Sequence, residues 1–350
     1  MNENIYQHLR EFLDKLPGGF PATPEGIEIE ILKILFTPEQ AELATKLTYD
    51  LEEISDIANR LKMDRAELFE KLEEMAKKGL IFRVIKEGKW YYHAEQFVIG
   101  IYEYQAKNKD AAFYRLFERY IPYLGMNLAN VTTKQMRYIP MESAITSETR
   151  IAPYDRVREL MTKEDCIAVQ QCICKQTQAF LGNPCQKPQE VCFAFGDFAR
   201  FILDNSMGRQ VSHKEAEDIL RSAEKEGLVL GVPNAQQLSF LCCCCNCCCP
   251  NLRFSKMSER PADIVFSYHV SRIDSEMCSG CGMCMERCPM DAISLHEDIA
   301  EIIDGRCIGC GLCVSTCPEG AITLIAKPGM KAPENDFKAM FDSIARERGL

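Results

Sequence analysis

No stretch of this 350-residue chain approaches the roughly 18 to 20 consecutive apolar residues that a membrane-spanning helix needs. The first residues, "MNENIYQHLREFLDKLPGG", are charged throughout and read as an amphipathic helix. They lack the basic start and apolar middle of a signal peptide, so the expected location is the cytoplasm. Histidine is scarce: His8, His93, His213, His269 and His296 stand alone, with no ligand-like or triad-like spacing, and each reads as an ordinary surface or core residue. There is no G-x-G-x-x-G and no Walker loop, so no dinucleotide or nucleotide fingerprint. Positive charge is in deficit, with 41 Lys and Arg against 51 Asp and Glu, a net charge of −10. A protein that coats nucleic acid is thereby disfavoured, and a soluble acidic protein with protein partners fits better.

What the chain has in abundance is cysteine, 20 in all. In a reducing compartment that number means metal or redox chemistry rather than a disulfide framework. With 47% hydrophobic residues there is material for two or three domains with cores of their own.

The chain divides as follows. Residues 1–25 form a leader helix and the breaker-rich linker "PGGFPATPEG". In residues 26–95, "IEIEILKILFTPEQAELATKL" has helical periodicity, with Pro38 starting a new helix. "LEEISDIANRL" and "DRAELFEKLEEMAKKGL" follow as a helix pair, the second capped by Asp64 with Glu67 completing a capping box and ended by Gly79. "IFRVIKEGKWYYHA" then reads as a hairpin. Helices followed by a two-stranded wing predict a winged-helix domain. Residues 96–160 are expected to be a mostly helical connector. Residues 161–260 are expected to be a cysteine-rich α/β centre, with a strand at "CIAVQQC" and helices at 195–208 and 212–229, the latter capped by Ser212 and Glu215. Residues 261–326 hold the clearest motif, and 327–350 a helical tail. The expected fold class is α+β and multidomain.

The clear motif is "CSGCGMCMERCP" at 278–289, repeated as "CIGCGLCVSTCP" at 307–318 with a constant offset of 29. The repeat continues, since "DAISL" aligns with "GAITL", so one structural unit is used twice. Both copies are C-x2-C-x2-C-x3-C-P. Three cysteines at this spacing wrap one face of a [4Fe–4S] cube, and the fourth, carried away by proline, ligates the other cube. The expected sets are Cys278, Cys281, Cys284 and Cys317 for one cluster, and Cys307, Cys310, Cys313 and Cys288 for the other. Gly280, Gly282, Gly309 and Gly311 let the backbone bend close to the sulfurs. A pair of zinc sites is the alternative for C-x2-C pairs, disfavoured by the doubled pattern and its two Cys-Pro ends.

Further cysteines lie upstream. Cys166 opens an apolar strand and reads as buried packing. "CICKQTQAFLGNPCQKPQEVC" supplies Cys172, Cys174, Cys185 and Cys192. "LCCCCNCCCP" supplies Cys242, Cys243, Cys244, Cys245, Cys247, Cys248 and Cys249. Thiolates so crowded repel one another unless a metal compensates their charge, and soft thiolates select Fe–S, Zn or Cu(I). In an extended segment Cys242 and Cys244 would face one side and Cys243 and Cys245 the other. The run is thus expected to be a ligand strip completing one or two more [4Fe–4S] clusters begun at 172–192, for three or four in total. Structural zinc and a plain thiol store stand as alternatives.

Residues 278–318 and their flanks resemble bacterial-type two-cluster ferredoxins over about 60 residues. Through "GFPATPEGIEIEILKILFTPEQAELATKL", "FVIGIYEYQ", "CICKQTQAFLGNPCQKPQEVC", "GLVLGVPN" and "CCCCNCCCPNLR", the chain from about 18 to 318 also resembles a family of iron–sulfur proteins of strict anaerobes. That family combines a winged-helix-like start, a cysteine-rich middle and a ferredoxin end. Its members tend to lack one cysteine of the run, at the place of Cys243. The resemblance implies electron transfer in anaerobic metabolism and assigns no substrate.

Three functions follow as expectations. The first is relay of low-potential electrons between redox partners docking at the acidic surface or the winged helix, with no side-chain catalyst. The second is an oxidoreductase whose central cluster keeps an open iron for substrate. The third is a redox-sensing DNA-binding regulator. Helix 64–78 disfavours the third, because Arg65, Lys71, Lys77 and Lys78 are outnumbered by Asp64, Glu67, Glu70, Glu73 and Glu74.

Overall fold

The computed structural model describes residues 2–106, 109–129, 131–145 and 151–350. Part of the expected connector, at 107–108, 130 and 146–150, lies outside the described residues.

The N-terminal segment folds where its local signals place it. Thr37 caps the helix Pro38–Ala44 and exchanges bonds with Gln40, while Pro38 takes the first turn, where its missing N–H costs nothing. Helices Ile54–Leu61 and Arg65–Lys77 follow, the second capped by Asp64, whose Oδ1 accepts from the N–H groups of Ala66 and Glu67 at 3.0 Å each. The reciprocal half of the expected box is not made, because the Glu67 carboxylate pairs with Lys71. Strands Ile81–Lys86 and Lys89–Ala94 form the hairpin, with Glu52–Glu53 added as a third strand. Its tip is Glu87-Gly88, both at positive φ, the two-residue turn whose twist matches that of the strands.

The centre is a six-stranded sheet in the order Met136–Ile139, Val229–Pro233, Phe240–Cys244, Glu190–Phe195, Ile167–Gln171, Arg209–Gln210. Every pair is antiparallel. The expected α/β centre is corrected to α+β. A parallel crossover needs a helix that carries the chain back along the sheet. Helix Ile173–Phe180 has only eight residues, about 12 Å of rise, followed by a loop. The connector holds the helix Ala111–Ala129 and several shorter helical turns, and also the edge strand Met136–Ile139, a segment too short to show alternation.

Small side chains gather on part of one sheet face, which also carries Gln170, Phe240 and Tyr138. Ala168, Ala194, Cys192 and Cys242 lie on that face, and the N-terminal helices share a continuous core with the two alanines. Val169, Phe193 and Leu241 lie on the other, in a core that also takes in Met290, Ile308 and Leu312.

The C-terminal repeat forms two antiparallel pairs, His269–Ile273 with Ile322–Ala326 and Ile293–His296 with Ile299–Ile302. Tyr138 N–H donates to Phe266 O at 2.8 Å and Met141 N–H to Cys310 O at 3.0 Å, which joins the repeat to the edge strand of the sheet. Arg137 anchors this junction. It is 1% exposed, pairs with Asp155 at 2.8 Å, and donates to the carbonyls of Pro233, Ala235 and Tyr154. Asp155 in turn lies 3.8 Å from His269 of the repeat. The tail helix Phe337–Arg348 closes the chain, Arg348 donating to the carbonyls of Asp14 and Leu16 at the end of the leader helix Asn2–Asp14. No helix among the described residues is long and apolar enough to cross a membrane.

Replacing Arg137 by Met should leave the Asp155 carboxyl and three carbonyls buried without their donor. Losing one partner of a buried pair costs about 3 to 5 kcal/mol. The urea midpoint of the metal-loaded protein should fall accordingly, and an unchanged midpoint would show that the junction is held elsewhere.

Candidate metal centres

The cysteine repeat closes into two sites. Cys278, Cys281, Cys284 and Cys317 line one small cavity, and Cys288, Cys307, Cys310 and Cys313 line another. Each motif's fourth cysteine thus stands with the first three of the other copy, the grouping its spacing predicts. Backbone amides are aimed at the sulfurs: Ala300 N–H reaches Cys278 Sγ at 3.4 Å, Ala292 N–H reaches Cys288 Sγ at 3.2 Å and Ser271 N–H reaches Cys307 Sγ at 3.3 Å. The loops need glycine to come so close. At Gly280 and Gly309, both at positive φ, a Cβ would collide with the carbonyls of Asp298 and His269.

The two sites differ in depth. Cys281 of the first is exposed and Cys284 buried, whereas the second has Cys310 and Cys313 buried and no exposed cysteine. Burial pushes the Cys310 thiol well up and the Cys313 thiol up to about 12, the latter countered by a 3.3 Å hydrogen bond with Ser271. Bare thiols would stay protonated there, so thiolate ligation needs the charge of a metal to hold it. The second site also faces the sheet, through the Met141–Cys310 hydrogen bond.

The eleven cysteines from Cys172 to Cys249 separate into three groups. Six form an arc. Strand register sets Cys192 opposite Cys242, and alternation puts Cys244 on the same face. Cys172 caps the helix Ile173–Phe180, Cys174 lies in its first turn, and Cys249 caps the helix Pro250–Met257. All six border one cavity. The thiols of Cys172, Cys242 and Cys249 are pulled below their ordinary range by these neighbours, Cys249 with added help from the N–H groups of its helix.

Four others form a knot, made of Cys185, Cys245, Cys247 and Cys248, whose sulfurs all lie within 4.8 Å of one another. The last of the eleven, Cys243, pairs in register with Leu230, is 2% exposed, and has its thiol pushed up chiefly by burial. The expected extended strip is corrected here. The strand ends at Cys244 and the chain turns at Asn246, so Cys245 joins Cys247 and Cys248 instead of sharing a face with Cys243. Cys166 is buried in the N-terminal core.

The arc borders a cavity of about 270 Å³, whereas the cavities of the two repeat sites measure about 10 and 20 Å³. Val98, Tyr102, Phe117, Ile121 and Leu124 supply apolar walls. The small side chains of this sheet face leave that volume. Three ionisable groups that motif reading does not single out also line it, Lys134, Lys175 and Glu103. Lys175 is 1% exposed and donates to Pro188 O, and its ammonium favours the thiolates of Cys172 and Cys242. The lysine lies beside Cys174 in "CICKQ", and its place inside a cysteine motif is the signal that could have found it. Glu103 borders the cavity and accepts from Gly100 N–H at 2.8 Å, and burial pushes its carboxyl up to about 8. Glu103 lies in "FVIGIYEYQ", one of the stretches that carry the family resemblance, but no motif there marks its carboxyl.

One residue of the turn reaches the second repeat site. Asn246 Nδ2 donates to Pro289 O at 3.0 Å, next to Cys288. Residues 271–324 match the model of a family described as a 4Fe-4S dicluster domain, which supports a ferredoxin-like C-terminal domain with at least two [4Fe–4S] clusters. Comparison with curated proteins and with solved structures finds no match.

Cys288→Ser tests the crossed grouping. It should damage the cluster of Cys307, Cys310 and Cys313 while sparing that of Cys278, Cys281 and Cys284. Electron paramagnetic resonance of the reduced protein separates the two, and selective loss of the Cys278 cluster would reject the crossing.

Proposed function

We propose that this chain relays low-potential electrons in anaerobic metabolism, from a redox partner through two ferredoxin clusters to an iron–sulfur centre in the central domain. Cys278, Cys281, Cys284 and Cys317 hold the entry cluster, which lies nearer the surface. Cys288, Cys307, Cys310 and Cys313 hold the second, which abuts the sheet. Cys172, Cys174, Cys192, Cys242, Cys244 and Cys249 hold the third centre. The observation that carries this reading is adjacency: a ferredoxin site with one exposed cysteine, a second with none, and six cysteines around a cavity in the adjoining sheet, bridged at Asn246 and Pro289.

The partner in this reading is a protein at the acidic surface or at the helix–hairpin unit of residues 26–95, read as winged-helix-like and used for docking. Its helix Arg65–Lys77 is a poor DNA reader, since Lys71 and Lys78 are already paired with Glu67 and Glu74. A cytoplasmic location fits so many free thiols.

A second reading has one observation in its favour. The arc's cavity is more than ten times the size of either repeat cavity, and six thiols exceed the four of one cube. The site therefore has room for a small substrate beside the metal, with Glu103 protonated at neutral pH as a proton donor. The chain is then an oxidoreductase with an open iron.

Anaerobically purified protein should carry more than about 8 irons per chain, the content of two cubes. Cys242→Ser and Cys249→Ser should each remove the excess iron and leave the ferredoxin signals unchanged. A wild-type content of about 8 would defeat the third centre. Glu103→Gln divides the two readings: iron content and electron transfer should persist in both, whereas turnover of a reducible substrate would be lost only in the second.

A further inference from the structure

We propose that Cys185, Cys245, Cys247 and Cys248 hold a single metal ion in a tetrahedron of four thiolates, separate from every iron–sulfur cluster of the chain. The argument is one of spacing. A Zn–S bond of about 2.3 Å places the corners of a tetrahedron about 3.8 Å apart. Cys185 Sγ lies 3.9 Å from Cys245 Sγ and 3.7 Å from Cys247 Sγ, and Cys247 Sγ lies 3.7 Å from Cys248 Sγ. A cube carries each thiolate on a different iron, which forces the sulfurs much further apart. The same molecule provides the contrast. Among the described residues, no other group of three or more Cys, His, Asp or Glu brings its ligand atoms within 4.8 Å of one another. The eight ferredoxin cysteines line two small cavities, and the six of the arc border a larger one.

The local backbone explains how four sulfurs converge. Once the strand ends at Cys244, the chain turns, with the N–H groups of Cys248 and Cys249 returning to Cys245 O at 3.4 and 3.0 Å. That turn aims Cys245, Cys247 and Cys248 at one point. Cys185 arrives from the loop after Phe180, which Gln189 braces by donating to the carbonyls of Cys185 and Lys187 at 2.8 Å each. All four positions are protein thiols, the closed shell of a structural rather than a catalytic site. Cys245 and Cys248 also line the large cavity. The ion would thus clip the 181–189 loop to the turn and fix one wall of that cavity. Zinc is the usual occupant of such a shell, and a single iron fits the same tetrahedron.

The test uses full-length protein purified without oxygen. Cys247→Ser removes the most exposed ligand and Cys185→Ser the only one from outside the turn, and both are compared with Cys243→Ala on the opposite strand face. Metal and acid-labile sulfide are counted together. Each serine variant should lose one metal atom per chain and no sulfide, and Cys243→Ala should lose neither. Loss of zinc identifies the ion as a clip, and loss of one iron as an additional one-electron carrier beside Asn246. Loss of several irons with matching sulfide would make the knot part of a cluster and overturn the proposal, as would unchanged metal in both serine variants. Because iron above about 8 per chain is measured in the same samples, failure of the clip is distinguishable from failure of the third centre.

Discussion

Crowded thiolates repel, and the chain separates them with two elementary devices, strand alternation and a turn. Alternation along Phe240–Cys244 sends Cys242 and Cys244 to one face and Cys243 to the other. The turn at Asn246 then redirects three more cysteines toward Cys185. One run of seven cysteines thereby contributes to an arc, a knot and a core. A shift of one residue in the pairing of Cys192 with Cys242 would exchange arc for core and dismantle the site.

That register is enforced by what lies on either side of the sheet. Phe193 and Leu241 fill the face shared with the ferredoxin-like domain, and alanine and cysteine line the face toward the N-terminal helices. Where alanine and cysteine stand in place of larger side chains, the same strands that close-pack on their other face leave a cavity. The buried Arg137 ties the edge strand to Asp155 and to three carbonyls, so the sheet and the cluster repeat meet in one fixed arrangement. Fixed separation is what electron transfer between centres requires of a protein scaffold.

Much of the local structure was legible. Pro38, Asp64, Ser212 and the "KEGK" turn marked their elements because caps and turns depend on residues a few positions apart. The strand Met136–Ile139 was not legible, since four residues carry no periodicity and its partner lies about ninety residues away. The antiparallel pairing of the centre was hidden for a related reason. Alternating strands and helices look alike in either topology until the reach of each connection is known.

The cysteines show the same division. The ferredoxin repeat was determined by sequence alone, because C-x2-C-x2-C-x3-C-P encodes the cube's geometry in its own spacing and its second copy supplies the missing corners. The central sites were not. Cys192 meets Cys242 across a sheet, Cys185 meets Cys245 and Cys247 across sixty positions, and Cys174 meets Cys249 through two helix ends. The crowding of these thiols in the sequence points to a metal, since thiolates at close quarters need a compensating charge. Only tertiary structure decided which of them stand together, because strand register and the course of a turn, not distance along the chain, bring their sulfurs to one point.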